Sequence, residues 1–263
     1  MGISKPKVQG LNEIKGGDER RPGAKVMPMG YELNYSQTQI HFLTNPPEWL
    51  PLLEGVRRPH VILDLGAGGG RNCVFLRKAL REAFIVAIDL SLIRCSSCRR
   101  ATDVNVVCGD ALGLPFPDDT FDLVLSTQVI EHVPDDRAFA REAGRVLQKG
   151  GKIIISSVLR LPHGWYFYRN RGQWVLDPTH LREYRSREEF LSLFGDGVRI
   201  LEATVDPVRV SPAHFVCRLL IRMGLIRNPD PDVFSKSAIA RFLEKWVLRV
   251  PGYRAITAVV LKA

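Results

Sequence analysis

Val61-Ile-Leu-Asp-Leu-Gly-Ala-Gly-Gly-Gly-Arg-Asn72 is the stretch whose reading decides the fold. It opens with β-branched and apolar residues, the composition of a strand buried on both faces. A glycine cluster breaks that run. Asn72 to Glu82 then reads as a helix, with Val74, Phe75, Leu76 and Leu80 on its apolar side. Strand, glycine turn and helix make the first half of a mononucleotide-binding βαβ unit. Gly66 and Gly68 let backbone come close to a ligand at the strand's C-terminal end, where helix-start N–H groups point outward.

Downstream, the alternation repeats. Phe84-Ile-Val-Ala-Ile-Asp89 reads as a second buried strand that ends in a carboxylate. Asp89 lies roughly twenty residues past the glycine turn, where nucleotide folds place the acid that accepts from ribose hydroxyls. A helix from about Ser91 to Thr102 carries Cys95 and Cys98. Positions i and i+3 on a helix are neighbours in any case, and no second Cys/His pair stands at zinc spacing, so no metal centre is expected. Val104 to Cys108 is a third strand, followed by the loop that holds Asp110 and Ala111. Phe121 to Thr127 is a fourth, with Gln128-Val-Ile-Glu-His-Val133 as its exit. A helix from Asp135 to Leu147 is capped by its first aspartate. Lys149-Gly150-Gly151 turns the chain into a fifth strand, Lys152 to Val158. Four strand–helix alternations with short links predict an α/β fold, a doubly wound Rossmann-like sheet with helices on both faces.

Upstream, residues 1–53 read as a polar N-terminal arm and lid ahead of the domain at 54–263. Tyr31 to Leu53, with Tyr35 and Trp49 among its aromatics, suggests short helices, and Asn45-Pro46-Pro47-Glu48 a loop that starts one. With 45% hydrophobic residues the 263-residue chain can bury a sizeable core. The net charge of +9 hints at an anionic partner, but the basic residues are scattered over the sequence. No apolar run approaches the roughly 18 residues of a membrane span. The basic N-terminus lacks a signal peptide's apolar centre, and five cysteines do not suit a secreted disulfide framework. The expected location is the cytoplasm.

Taken in order, Asp-Leu-Gly-Ala-Gly-Gly-Gly, Ile-Asp-Leu-Ser, Gly-Asp-Ala…Leu-Pro-Phe-Pro-Asp…Phe-Asp, Val-Ile-Glu-His-Val and Arg-Val-Leu-Gln-Lys-Gly-Gly resemble the class I S-adenosylmethionine-dependent methyltransferases. The resemblance covers about residues 61–158 and is closest to the small-molecule branch that includes quinone-biosynthesis enzymes. It implies a seven-stranded sheet whose last two strands pair antiparallel, the seventh inserting beside the fifth. It also implies S-adenosylmethionine as cofactor, S-adenosylhomocysteine as product, and a role for each motif. Gly66, Ala67 and Gly68 would lie under the methionine part, with Asp64 near its amino group. Asp89 would take the ribose diol, which suits the two acceptor oxygens of a carboxylate. Asp110 and Ala111 would read the adenine edge while Leu90 packs on the base. Gln128 would border methionine and acceptor.

A dinucleotide oxidoreductase is the rival within nucleotide folds. Its third glycine, counted from Gly66, would fall at Arg71, whereas this chain has Gly66, Gly68 and Gly70.

Beyond the fifth strand the acceptor side is sought in Leu161 to Asn170 and Asp177 to Tyr184. His163 and His180 are the candidate bases. Tyr35, His132, Trp165, Tyr166 and Tyr184 are the candidate pocket residues, although His132 also suits a structural hydrogen bond and Tyr184 packing on a helix from Ser186 to Phe194. Val198 to Val205 and Ala255 to Leu261 are the last two strands. A helical insert at about 207–250 lies between them, with helices at Pro212 to Leu225 and Ser235 to Leu248. The aromatic loop and apolar insert favour a small-molecule or lipid-like acceptor. An RNA or protein acceptor rests on charge alone, and a non-catalytic partner subunit has no reason to keep Gly66, Gly68, Asp89 and Asp110 together.

Overall fold

The computed structural model describes residues 46–56, 59–166, 168–170, 172–210 and 248–263, with Pro212, Val216, Met223 and Trp246 individually. Its strands are β1 (Val61–Leu65), β2 (Phe84–Asp89), β3 (Asn105–Cys108), β4 (Phe121–Thr127), β5 (Leu147–Arg160), β6 (Tyr168–Asn170), β7 (Gln173–Val175), β8 (Val198–Val210) and β9 (Leu248–Lys262). The helices are α1 (Arg71–Ala79), α2 (Leu92–Ala101), α3 (Asp136–Val146) and α4 (Arg187–Leu191).

Seven strands form one sheet in the order β3-β2-β1-β4-β5-β9-β8. The pairings from β3 across to β5 are parallel, and β9 runs antiparallel to both β5 and β8. Alternate side chains of the central strands feed two cores. Leu63, Leu65, Val86, Ile88 and Val124 meet Phe139, Ala143 and Val146 of α3 and Phe190 of α4. Ile62, Ile85, Ala87, Leu123 and Leu125 meet Cys73 and Leu76 of α1 and Cys98 of α2. The winding therefore reverses between β1 and β4. That is the topological switch point, outside whose carboxyl ends a doubly wound sheet binds its ligand.

The caps follow the sequence. Ser91 accepts from the Arg94 amide at the start of α2, Asp135 from Ala138 at α3 and Ser186 from Glu189 at α4. Each satisfies a helix-start N–H that has no partner within the helix.

Several boundaries differ from expectation. Helix follows strand after β1, β2 and β4 but not after β3, which reaches β4 through the loop 109–120. The turn expected at Lys149–Gly151 is absorbed into β5, whose register against β4 jumps from Leu147 opposite Phe121 to Lys152 opposite Leu123. Helix α1 stops at Ala79 rather than Glu82, and α4 at Leu191 rather than Phe194. Among the described residues ahead of β1, Leu50–Gly55 forms a 3-10 helix. Trp49, which the sequence reading put in the N-terminal arm, is buried in the α1/α2 core. Residues 207–210 belong to β8 and 248–250 to β9. The two expected helices of the insert fall almost wholly outside the described residues, as do Tyr35 and Asn45. A β6–β7 hairpin occupies part of the aromatic stretch read as a loop.

Candidate active site

The ends of β1, β2, β3 and β4 bring the motif residues to one rim. The glycine loop folds over the sheet there, with the Gly66 and Ala67 amides donating to the Ile88 carbonyl at 2.8 and 3.0 Å. Gly66, Gly68 and Gly70 all have positive φ, at 79°, 56° and 90°. At Gly66 a Cβ would also lie 2.4 Å from Val129 Cγ2, so only glycine fits both backbone and space.

Asp89 at the end of β2 is nearly buried. Its Oδ2 accepts from the Gly68 amide at 2.9 Å and its Oδ1 from the Ser91 amide at 2.9 Å. Each oxygen keeps a second lone pair for a ligand. Beside it, the Gly109 amide donates to the Asp89 carbonyl, which sets the start of the loop after β3. Asp110 follows on that loop, exposed, with Oδ1 accepting from the Leu112 amide at 2.9 Å in an Asx turn. Ala111 is half-buried next to it, and Leu90 is 47% exposed between the two strand ends.

Asp64 lies beneath the loop and is fully buried. Cys73 Sγ donates to its Oδ2 at 3.1 Å and Asn72 Nδ2 to its Oδ1 at 3.4 Å. Burial pushes its carboxyl up to about 6, and the hydrogen bonds from Cys73 and Asn72 hold it lower than burial alone would. Asn72 ties three segments together. Its Nδ2 also donates to Thr127 Oγ1 at 2.9 Å, and its Oδ1 accepts from Trp49 Nε1 at 3.0 Å. Gln128 leaves β4 with φ of 55°, its amide donating to the Ser156 carbonyl at 3.1 Å. A left-handed conformation at a non-glycine residue stores strain, and such strain concentrates at ligand sites.

The acceptor-side candidates fare unevenly. His163 is exposed on a turn three residues past β5, where the Leu161 amide donates to the Gly252 carbonyl. Thr127 pairs with Ser156, and β5 runs on to Arg160, about 13 Å further along the strand. His163 therefore stands well beyond the rim that holds Asp89 and Gln128. Trp165 is exposed and meets Trp174 edge-on at 5.8 Å between centroids. Tyr166 is buried against Tyr253 and Tyr168, and Tyr184 is buried in the α3/α4 core with its hydroxyl donating to Asp136. Both tyrosines pack rather than line an open surface.

His180 is buried rather than presented as an exposed base. Its Nδ1 stands 2.8 Å from Glu183 Oε1, and its ring meets that of His132 at 4.8 Å. Burial opposes charge on His180, but the Glu183 hydrogen bond and the Glu131 and Asp177 carboxylates outweigh it and raise its affinity for a proton. Burial and the neighbouring His180 push His132 down to about 3.

Sequence reading missed Trp49, Asn72 and Thr127 as a linked group, and Glu131 and Glu183 as partners of His180. Glu131 carried a local signal, standing next to His132 in the fourth-strand motif, as did Glu183, three residues after His180.

The family described as "Methyltransferase domain" matches residues 63–155, from β1 into β5. The demethylmenaquinone methyltransferase of Corynebacterium urealyticum is 41% identical over 97 residues, 36% of this chain and 40% of that protein. The malonyl-[acyl-carrier protein] O-methyltransferase of Halorhodospira halophila is 33% identical over 165 residues, 60% of this chain and 53% of that protein. The chain thus spans about half the length or less of these curated relatives. The crystal structure of YcgJ from Bacillus subtilis superposes with a TM-score of 0.54 at 19% identity, over 81% of this chain and 97% of that one, a likeness of fold.

Proposed function

We propose that this chain, whose residues 63–155 match the methyltransferase-domain family, is an S-adenosylmethionine-dependent methyltransferase with a small-molecule or lipid-like acceptor. The observation that carries this reading is the pairing of Asp89 with the glycine loop. The carboxylate that fastens Gly68 and Ser91 stands at the end of β2 with lone pairs to spare, beside Asp110 at the end of β3. The loop itself fits a ligand's backbone cradle, since Gly66, Gly68 and Gly70 have positive φ and the Gly66 and Ala67 amides tie it to the Ile88 carbonyl.

S-adenosylmethionine, when bound, supplies a sulfonium-activated methyl group for in-line displacement. Asp89 would accept from the vicinal hydroxyls of its ribose, and Asp110 from its exocyclic amine. Asp64, buried beneath the loop, would supply negative charge toward its ammonium group. Displacement at such a methyl needs no protein nucleophile, so the work left to the chain is alignment. Holding two reactants in line accounts for about 7–11 kcal/mol of barrier lowering. The name of one relative, a demethylmenaquinone methyltransferase, supports a lipid-like acceptor. Among the described residues no helix is long and apolar enough to cross a membrane.

Calorimetric titration of the purified chain with S-adenosylmethionine and S-adenosylhomocysteine, with NADH as the control, tests the reading. Saturable binding of the first two alone is expected. Absence of binding by both, or binding of NADH, overturns it.

A further inference from the structure

We propose that Glu131, His132 and His180 form a binding site for one divalent transition-metal ion of the zinc type. Each offers one ligand atom, and the three atoms lie within 4.8 Å of one another. Their relative exposures are 0%, 7% and 4%, so the cluster is sealed inside the protein. Two imidazole nitrogens and one carboxylate oxygen form a donor set that suits Zn²⁺, Co²⁺ or Fe²⁺ over Mg²⁺ or Ca²⁺.

The independent observation is Glu131 itself. Ser157 Oγ donates to its Oε2 at 2.9 Å, but its Oε1 is buried and has no hydrogen-bond partner. His180 Nε2 stands 4.0 Å from it, too far for a hydrogen bond. A carboxylate oxygen desolvated without a partner is costly, and an ion between Oε1 and the imidazoles would satisfy it. Zinc holds such ligands at about 2.0–2.2 Å, so the donors need to close by about 1 Å. That is within the reach of side-chain rotation.

The surroundings have the form that orients metal ligands. His180 Nδ1 is held by Glu183 Oε1 at 2.8 Å, a carboxylate–histidine pair. His132 Nδ1 stands 3.0 Å from Thr179 Oγ1, which itself donates to Asp177 Oδ1 at 2.6 Å. Outer carboxylates of this kind fix the ring and raise its basicity toward a metal. The ligands come from two segments, the exit of β4 and the stretch 177–184, already joined where the Leu181 amide donates to the Glu131 carbonyl. An ion there would clamp the wall next to Gln128. The clamp does not depend on the methyltransferase reading.

The test uses the 263-residue chain, stripped with a chelator and titrated with Zn²⁺ and with Co²⁺. One equivalent should bind and raise the melting temperature. Bound Co²⁺ should show ligand-field absorption without a thiolate charge-transfer band, which excludes Cys73, Cys95 and Cys98 as ligands. Glu131→Gln and His180→Gln should abolish stoichiometric binding, and Glu183→Gln should weaken it by about 10–100-fold. Circular dichroism checks each variant's fold. If Glu131→Gln does not fold, the other two variants decide. No binding at one equivalent, a thiolate band, or unchanged binding in His180→Gln overturns the proposal.

Discussion

The Gly68 amide and the Asp89 carboxylate meet at 2.9 Å, so one side chain both shapes the glycine loop and offers itself to whatever the loop holds. This dual use makes Asp89 a sharper probe as asparagine than as alanine. Alanine would strip the Gly68 and Ser91 amides of their acceptor at once. Asparagine keeps one acceptor and sets an NH₂ against the other amide, at a stability cost of about 1–3 kcal/mol. Asp89→Asn should lose at least about tenfold in affinity for S-adenosylmethionine, equivalent to some 1.4 kcal/mol. Ser91→Ala removes only the cap of α2, costs about 1 kcal/mol and should leave that affinity intact. Wild-type affinity in Asp89→Asn would remove Asp89 from the cofactor site.

Gly66 and Gly69 provide a matched pair. At Gly66 the backbone is left-handed and a Cβ would sit 2.4 Å from Val129 Cγ2, whereas at Gly69 nothing lies within 4 Å. Gly66→Ala should cost more than about 2 kcal/mol in urea unfolding, from backbone strain of about 1–2 kcal/mol and the clash added to it. Gly69→Ala should be within about 1 kcal/mol of wild type and can even stabilise. Equal costs at the two positions would mean that the loop relaxes freely.

The parts of this fold that were legible in the sequence are those set by local period. The runs 84–89 and 121–127 each signal a buried strand without help from distant residues, and the observed spans match them. The edge hairpin was not legible in full. Asp206-Pro207 looks like the end of a strand, yet β8 continues to Val210, because an edge strand tolerates a proline that a central one does not. At the candidate site, Asp64 within β1, Asp89 at the end of β2 and Asp110 just past β3 could be placed from the strand pattern alone. Trp49 and Asn72 were not, since a hydrogen bond across 23 residues leaves no period to read. His180 was found by type but not by environment, because Glu131 stands on the exit of β4, a separate segment that only the folded chain brings to it.

Asp64 should make stability depend on pH in an unusual direction. Its folded-state value, about 6, lies above the 3.8 of an ordinary aspartate. Between those two values the folded state holds a proton that the unfolded chain has released, so stability falls as pH rises through this window and levels off above it. For a fully buried carboxyl the shift corresponds to about 3 kcal/mol. Asp64→Asn, which cannot ionise, should lack this slope. Urea unfolding at several pH values checks it, and a difference between wild type and variant that stays constant from pH 4 to 7 sinks the assignment.

Gln128 tests whether strain at the rim is tied to binding. A side chain held at φ of 55° costs about 1–2 kcal/mol relative to glycine. Its amide still donates to the Ser156 carbonyl, which glycine would preserve. Gln128→Gly should therefore be as stable as wild type or up to about 1 kcal/mol more stable. If Gln128 borders the cofactor, the same change should weaken S-adenosylmethionine binding. Gln128→Asn separates the two effects, because asparagine tolerates left-handed backbone yet falls one methylene short. A gain in melting temperature paired with a loss of affinity in Gln128→Gly, and a smaller loss in Gln128→Asn, would tie the strain to the ligand. A gain in stability with affinity unchanged would leave Gln128 as a turn residue alone.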